Sequence, residues 1–284
     1  MPRGRYRLMN YLAARSAARK FQSPFKIDGR TILFHCDLDD SIRREVCFTG
    51  CYEPLETSLV RQLLKPGALF VDVGANWGYF SLIGSVLVGG SGRVVALEPD
   101  PSLFEELELN VRVNEFNNVT PLAVAASDQN GQAILTGSKA KAGNSGLSRL
   151  IGSAELAQGI QARTCRLDAL LDASGVTDVS LMKMDIEGAE GLAVEGAAKL
   201  FESRRVKSLL LELHPALLKA HGHSADEMVN RLLAWGYAGF RIPHDPSTLR
   251  STYYSKATLR VQGLQRVYGF DQRDAWPHYL FTTT

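Results

Sequence analysis

The chain has 284 residues, of which 45% are hydrophobic and 22% charged, a composition that fits a globular protein with a sizeable core and excludes a disordered or fibrous chain. With 32 basic and 30 acidic side chains the net charge is +2, so the overall balance gives no reason to expect nucleic acid or an anionic surface as partner. No apolar run approaches the roughly 20 residues of a bilayer-crossing helix, and the N-terminus lacks the continuous apolar stretch of a secretory signal.

Residues 1–20 carry Arg3, Arg5, Arg7, Arg15, Arg19 and Lys20 and no acid, with Leu8, Tyr11 and Leu12 at helical spacing. This reads as a short basic helix, solvated or packed on the protein. Contact with a phosphate-bearing substrate, a membrane face or a partner subunit is the alternative. Residues 25–46 read as β-like, with turns at Asp28-Gly29 and Asp39-Asp40, and form a small lid or platform. The division expected is a helix and β-rich cap over residues 1–50, then one domain over 51–284. Helix Leu55–Leu64 ends at Lys65-Pro66-Gly67. Cys36, Cys47, Cys51 and Cys165 form no CxxC pair, which is the pattern of reduced thiols in a cytoplasmic protein.

Residues 69–81 read LFVDVGANWGYFS: an apolar strand ending near Asp72, a turn with Gly74, Asn76 and Gly78, and an apolar helix. Glycine permits close approach of a ligand to the main chain, and the helix start presents free N–H groups. A second strand, Arg93–Leu97, ends in Glu98, twenty residues after Gly78. A carboxylate so spaced suits the hydroxyls of a ribose. A helix over Ser102–Asn114 follows, with Asp100 and Pro101 at its start, then a strand over Val119–Ala125. Residues 132–161 are rich in glycine and serine and read as short strands and mobile loops, with Gly143-Asn144-Ser145-Gly146 the most flexible point. Strand Ser180–Met184 leads to a helix over Ala189–Phe201. Strand Val206–Leu213 holds Glu212 and ends at His214-Pro215. A helix around Met228–Leu233, closed by Gly236, precedes strand Tyr237–Ile242, and the tail shows strands at Leu259–Val261 and Tyr279–Thr283. Such alternation implies a mostly parallel sheet with helices on both faces.

Three blocks resemble the FkbM-type branch of the S-adenosylmethionine-dependent methyltransferases: FVDVGANWGY at 70–79, ALEP at 96–99 and KMDIEGAE at 183–190. The resemblance spans about Tyr52 to Leu213. It implies a Rossmann-like class I methyltransferase fold with a seven-stranded, mostly parallel sheet. The cofactor it implies is S-adenosylmethionine. Gly74 and Gly78 would line the methionine part, Asp72 and Asn76 would hold its amino group or nearby waters, and Glu98 would bind the ribose. Ala126, Ser127 and Asp128 would sit by the adenine, while Tyr52 and Glu53 lie over the cofactor. It also implies an acceptor hydroxyl on a sugar or secondary metabolite, with no nucleic acid expected.

Methyl transfer needs an aligned acceptor oxygen and a group to take its proton. Asp185, Glu212 and His214 lie at the ends of neighbouring strands. Asp185 is the leading base or orienter, with Lys183 two residues earlier on the same strand side. Glu212 in an apolar strand must be paired, and Lys183 is its natural partner. The same three residues could hold a divalent metal, but their spacing is not a recognised ligand motif and no metal is expected. Two other readings stay open at this point. One is a nicotinamide-dependent oxidoreductase, disfavoured by Asn76 and Tyr79 in place of a GxGxxG pattern. The other is a catalytically silent S-adenosylmethionine-binding partner protein. The acceptor atom, oxygen, nitrogen or carbon, and the oligomeric state are open as well. Acceptor contacts are expected from residues 25–46, 132–161 and the tail after Leu249.

Overall fold

The computed structural model describes residues 3–136, 149–151, 159–245, 248, 259–271 and 275–283. Helix α1 (Arg3–Arg15) precedes a hairpin of β1 (Lys20–Ile27) and β2 (Arg30–Asp37), which turns at Asp28 and Gly29, both with positive φ. The β reading of this region fails beyond Asp40. The Asp40 side chain accepts from the Arg43 amide and caps a helix, α2 (Ser41–Thr49), which Gly50 closes at φ 70°. Folding α2 back on β2 brings Cys36 and Cys47 together as a disulfide with Cα atoms 6.4 Å apart, while Cys51 and Cys165 are free. That corrects the expectation of four reduced thiols and removes the thiol argument for a cytoplasmic location.

Next come α3 (Pro54–Leu63), β3 (Leu69–Val73), α4 (Tyr79–Val88), β4 (Arg93–Leu97), α5 (Pro101–Val113) and β5 (Val119–Leu122). Asp100 caps α5 by accepting from the Ser102 and Leu103 amides, with Pro101 at the first helical position. The strand expected over Val119–Ala125 splits. β5 ends at Leu122, and β6 (Ala125–Ala126) joins a separate sheet of order β6-β9-β7-β8 with β7 (Gly131–Thr136), β8 (Arg149–Ile151) and β9 (Ile160–Cys165). The glycine-rich point at 143–146 lies outside the described residues.

Then follow α6 (Leu167–Ala173), β10 (Leu181–Met184), α7 (Glu190–Gly196), α8 (Ala198–Glu202), β11 (Ser208–Glu212), α9 (Pro215–Leu218), α10 (Ala225–Ala234), β12 (Tyr237–Ile242), β13 (Gln265–Val267) and β14 (His278–Thr283). One helix was expected over Ala189–Phe201, but Ala197 at φ −112° breaks it into α7 and α8. The tail strand expected at Leu259–Val261 is instead β13, after a 3₁₀ turn at Val261–Gly263.

The main sheet runs β13-β12-β14-β11-β10-β3-β4-β5. Neighbours from β11 to β5 pair in parallel, and β14 is antiparallel to both β11 and β12. This is the doubly wound α/β sheet that the alternating pattern implied, with β13 as an eighth strand at the edge. Its two faces bury different clusters. Phe70, Leu82, Leu210 and Leu280 share one with Phe25, Ile27 and Phe34 of the hairpin. Val71, Val73, Met182, Met184, Leu211 and Phe281 lie in the other. Successive strand residues therefore face opposite layers, as the pleat requires.

At the end of β3, Gly74 has φ 83°, and a Cβ there would stand 2.0 Å from the Asp185 carbonyl oxygen. Both the backbone conformation and the space exclude a side chain. Gly74→Ala should lower unfolding stability by at least about 2 kcal/mol, read from the denaturant midpoint. An unchanged midpoint would show that this crossing is looser than drawn.

Candidate active site

The pleat decides which polar side chains meet. Val71 and Val73, Met182 and Met184, and Leu211 and Leu213 fill one layer. The alternate residues Asp72, Lys183 and Glu212 therefore share the other face, with Asp185 and His214 continuing the same alternation past the strand ends. Lys183 is the register partner of Asp72 across β10 and β3. All of this happens at the carboxyl ends of parallel strands, where α/β proteins bind ligands.

A cavity of about 350 Å³ opens there, large enough for a small ligand. Gly74, Ala75, Asn76, Glu98, Ala125, Ala126, Lys183, Asp185, Glu212 and His214 line it. Glu98 is buried, and its two oxygens accept from the Asn76 amide at 2.8 Å and the Asp100 amide at 2.9 Å. Those bonds hold the carboxyl group in one orientation. Burial raises its pKa to about 8, against the opposing pull of the two amides.

Lys183 sits 3.3 Å from Asp185, 3.7 Å from Glu53 and 4.5 Å above the Phe80 ring. Burial by itself would lower its pKa, but Glu53, Asp185, Asp72 and Glu212 outweigh it and the group stays charged. Asp185 is pulled below the usual carboxylate range, because Lys183, His214 and His278 overcome its burial. Glu212 moves the other way: burial and the neighbouring Asp185 and Glu53 push it well above the usual carboxylate range. His214 Nδ1 lies 2.7 Å from Glu190, a residue with no exposure, which also accepts from the Gly188 amide at 3.0 Å. The His214 Nε2 lies 3.4 Å from Glu187 and 3.5 Å from Glu212. Burial lowers the His214 pKa, but Glu190, Asp185 and Glu187 raise it further, to about 9.

The structure therefore gathers Lys183, Asp185, Glu212 and His214 at the cavity, together with Gly74, Asn76 and Glu98. The remaining site candidates lie behind the wall. Asp72 is buried and accepts from the Ser81 hydroxyl at 2.6 Å. Gly78 starts α4 at φ 99°, packed against Leu107. Ser127 bonds Asp128 at 3.0 Å, while their neighbours Ala125 and Ala126 face the cavity. Glu53 meets Lys183, and it is Tyr52 that lines the cavity. Ser41, Ile42 and Glu45 of α2, Leu135 of β7 and Trp276 of the tail also line it, one group from each segment expected to touch an acceptor. In the sequence Glu190 stands out only as the last residue of the block KMDIEGAE. Its partnership with His214 bridges 24 residues and needed the fold. Three cavity-region residues, Glu53, Asn76 and Glu187, hold positive φ without being glycine, and such strain gathers at functional sites.

Residues 72–238, more than half of the chain, match the family model described as the methyltransferase FkbM domain. The chain belongs to the FkbM methyltransferase family. As an FkbM methyltransferase it is S-adenosylmethionine-dependent. Its fold is similar to that of Aeropyrum pernix fibrillarin solved with natively bound S-adenosyl-L-methionine, at 13% identity over 95% of this chain and 85% of that one, TM-score 0.46. It is similar too to a SAM-dependent O-methyltransferase of Thermotoga maritima, at 12% identity over 96% of each chain, TM-score 0.41. A SAM-dependent methyltransferase of Aquifex aeolicus matches at 15% identity, 86% of this chain and 94% of that one, TM-score 0.44. No curated protein matches this FkbM chain. Among its described residues no helix is long and apolar enough to cross a membrane.

The His214–Glu190 pair makes a stability prediction. The folded pKa of His214, about 9, lies above the ordinary value of 6.5. The charged pair therefore contributes in full below pH 6.5, and its contribution is lost as pH rises through about 9. Glu190→Gln should move the His214 titration, followed by NMR, down from about 9. It should also destabilise the fold more at pH 6 than above the His214 pKa. A His214 titration that does not move would dismiss Glu190 as its partner.

Proposed function

We propose that this methyltransferase transfers a methyl group to a hydroxyl of a small molecule or glycan, a sugar or secondary metabolite, with His214 as the proton acceptor. The observation that carries the reading is an imidazole fixed by a buried carboxylate, His214 Nδ1 to Glu190 at 2.7 Å, facing the same cavity as Glu98. A hydroxyl is a weak nucleophile, and a carboxylate-oriented imidazole is a common way to take its proton.

The residues present fit the cofactor. Glu98, held by two amides, has lone pairs left for two ribose hydroxyls. Gly74 and Asn76 would line the methionine part, and Ala125 and Ala126 would flank the adenine. Asp72, Gly78, Ser127, Asp128 and Glu53 would act from behind by shaping the turns and holding Lys183. When bound, S-adenosylmethionine supplies an electrophilic methyl group on a sulfonium.

The chain's own side chains do the rest. In its neutral form, reached as pH rises through about 9, His214 donates from Nδ1 to Glu190, which leaves Nε2 to receive the acceptor's proton. Asp185, kept ionised by Lys183, accepts from the acceptor hydroxyl and orients it. Glu212, which keeps its proton to higher pH than an ordinary carboxyl group, donates it in a hydrogen bond to a neighbouring acceptor oxygen. Residues 51–284 form the methyltransferase domain in this reading, with residues 1–50 as a cap that brings α2 to the cavity.

Calorimetric titration with S-adenosylhomocysteine tests the cofactor half. Wild type should bind, and Glu98→Ala should bind at least about tenfold more weakly, as expected for losing two hydrogen bonds. Absence of binding in wild type, or NADH binding in its place, would overturn the reading. Assay of a panel of hydroxyl and amine acceptors tests the other half.

With an active acceptor, His214→Asn should lower kcat by about 10²–10⁴-fold without changing S-adenosylhomocysteine affinity. Wild-type kcat/KM should rise with pH until His214 is neutral, near its pKa of about 9. A flat pH profile would remove His214 as the base. Methylation of amines alone would remove the hydroxyl acceptor, and a silent binding protein would show turnover with none of the panel.

A further inference from the structure

Next to the cavity, on the same face of the sheet, lies a second group of polar side chains that the proposed reaction does not use. Glu56 stands in the first turn of α3 and is 3% exposed. His278 opens β14 and pairs in register with both Glu212 of β11 and Ile242 of β12. His244 follows β12. The two imidazole rings stack with centroids 3.8 Å apart. Glu56 Oε1 is 3.0 Å from His244 Nε2 and 3.1 Å from His278 Nδ1. Despite that proximity, neither Glu56 oxygen receives a hydrogen bond of normal geometry. A buried carboxylate without such bonds is costly unless a cation compensates it.

The ring nitrogens say where a cation would go. His244 Nδ1 lies 3.3 Å from the Ile242 carbonyl oxygen. A carbonyl only accepts, so Nδ1 carries the hydrogen, which leaves Nε2, on the Glu56 side, as the atom able to give a lone pair to an ion. An ion shared by Nε2 and Glu56 Oε1 would lie off the line between them, which fits their proximity without a hydrogen bond of normal geometry. An imidazole anchored by its other nitrogen to a backbone carbonyl is the usual arrangement of a metal-ligating histidine. His278 turns Nδ1 toward Glu56, at 3.1 Å, and Nε2 toward Glu212, at 3.5 Å. The donor atoms lie within 4.8 Å of one another. Two ligands each about 2.1 Å from an ion and at right angles are about 3.0 Å apart, which matches both carboxylate–imidazole separations.

We propose that Glu56, His244 and His278 form a binding site for a divalent first-row transition-metal ion, beside the cofactor cavity and not within it. Two imidazoles and one carboxylate favour such an ion over magnesium or calcium, which prefer all-oxygen ligands. The ion would tie β14 and the segment after β12 to α3. It would also stand one residue contact from the cavity, since His278 Nε2 lies 3.5 Å from Glu212. This assignment does not depend on the acceptor or on the base.

The test uses the full chain after chelator treatment, titrated with Co²⁺ alone and followed by visible absorption and by Tm. The expected result is one equivalent bound at this site, with a raised Tm and displacement by Zn²⁺. His244→Ala should weaken binding by at least about tenfold, while His221→Ala should leave it unchanged. His244 is less buried than its partners. Should its alanine variant not fold, His244→Asn, which removes the imidazole and keeps polarity, reads the same loss. Absence of Co²⁺ binding by wild type would overturn the proposal and leave a proton as the compensating charge. So would binding that survives His244→Ala but is lost in His214→Ala, since the ion would then belong to Asp185, Glu212 and His214 in the cavity.

Discussion

The ammonium group of Lys183 is the charge on which the site depends. Glu53, Asp72, Asp185 and Glu212 all act on it from buried positions, and so many carboxyl groups could not share a dry face of the sheet without a cation among them. The cation comes from the middle of an apolar strand, between Met182 and Met184, and is itself held above the Phe80 ring. Its effect on its neighbours is uneven. Asp185, within 3.3 Å, stays ionised. Glu53, despite the same cation, is raised to about 7 by its burial, and Asp72 to about 6. Burial and one lysine thus pull similar acids in opposite directions and to different extents, so that they titrate over different pH ranges.

The backbone around this cation is also constrained. Gly74 passes so close to the Asp185 carbonyl that no side chain fits, and Asn76 and Glu187, at the turns after β3 and β10, hold left-handed conformations. Such conformations persist when the surroundings over-determine them. Here the Asn76 amide is tied to Glu98, and Gly188, next to Glu187, is tied to Glu190. The same carboxyl groups that face the cavity or the histidine therefore hold the turns that shape the cavity. Loss of either would alter chemistry and local structure together.

The N-terminal hairpin is more than an appendage to this arrangement. Phe25 and Phe34 stack against Tyr79 and Trp77 of the glycine turn region. The Tyr79 hydroxyl accepts from the Tyr52 amide at 3.0 Å. Aromatic packing thus links the cap, the segment before α3 and the start of α4 into one layer, and through α2 it brings Ser41, Ile42 and Glu45 to the cavity.

The sequence by itself determined the doubly wound sheet, because the alternation of apolar strands with helices and the turn at residues 74–78 are local signals. It also marked Glu98, Lys183, Asp185, Glu212 and His214, since a polar residue at the end of an apolar strand is visible without a structure. Tertiary structure decided what depends on register and crossover. Asp72 meets Ser81 and Lys183 rather than the cavity, because α4 packs back against β3 and brings Ser81 to it. Ala125 and Ala126 line the cavity in place of Ser127 and Asp128, because the chain leaves the main sheet after Leu122. Asp40 turned an expected strand into α2 through one capping bond, and so drew Cys36 to Cys47. Glu190 with His214, and Glu56 with His244 and His278, are separated by 24 to 222 residues in the chain. No local pattern can report pairs that only the order of strands β10, β11, β14 and β12 brings together.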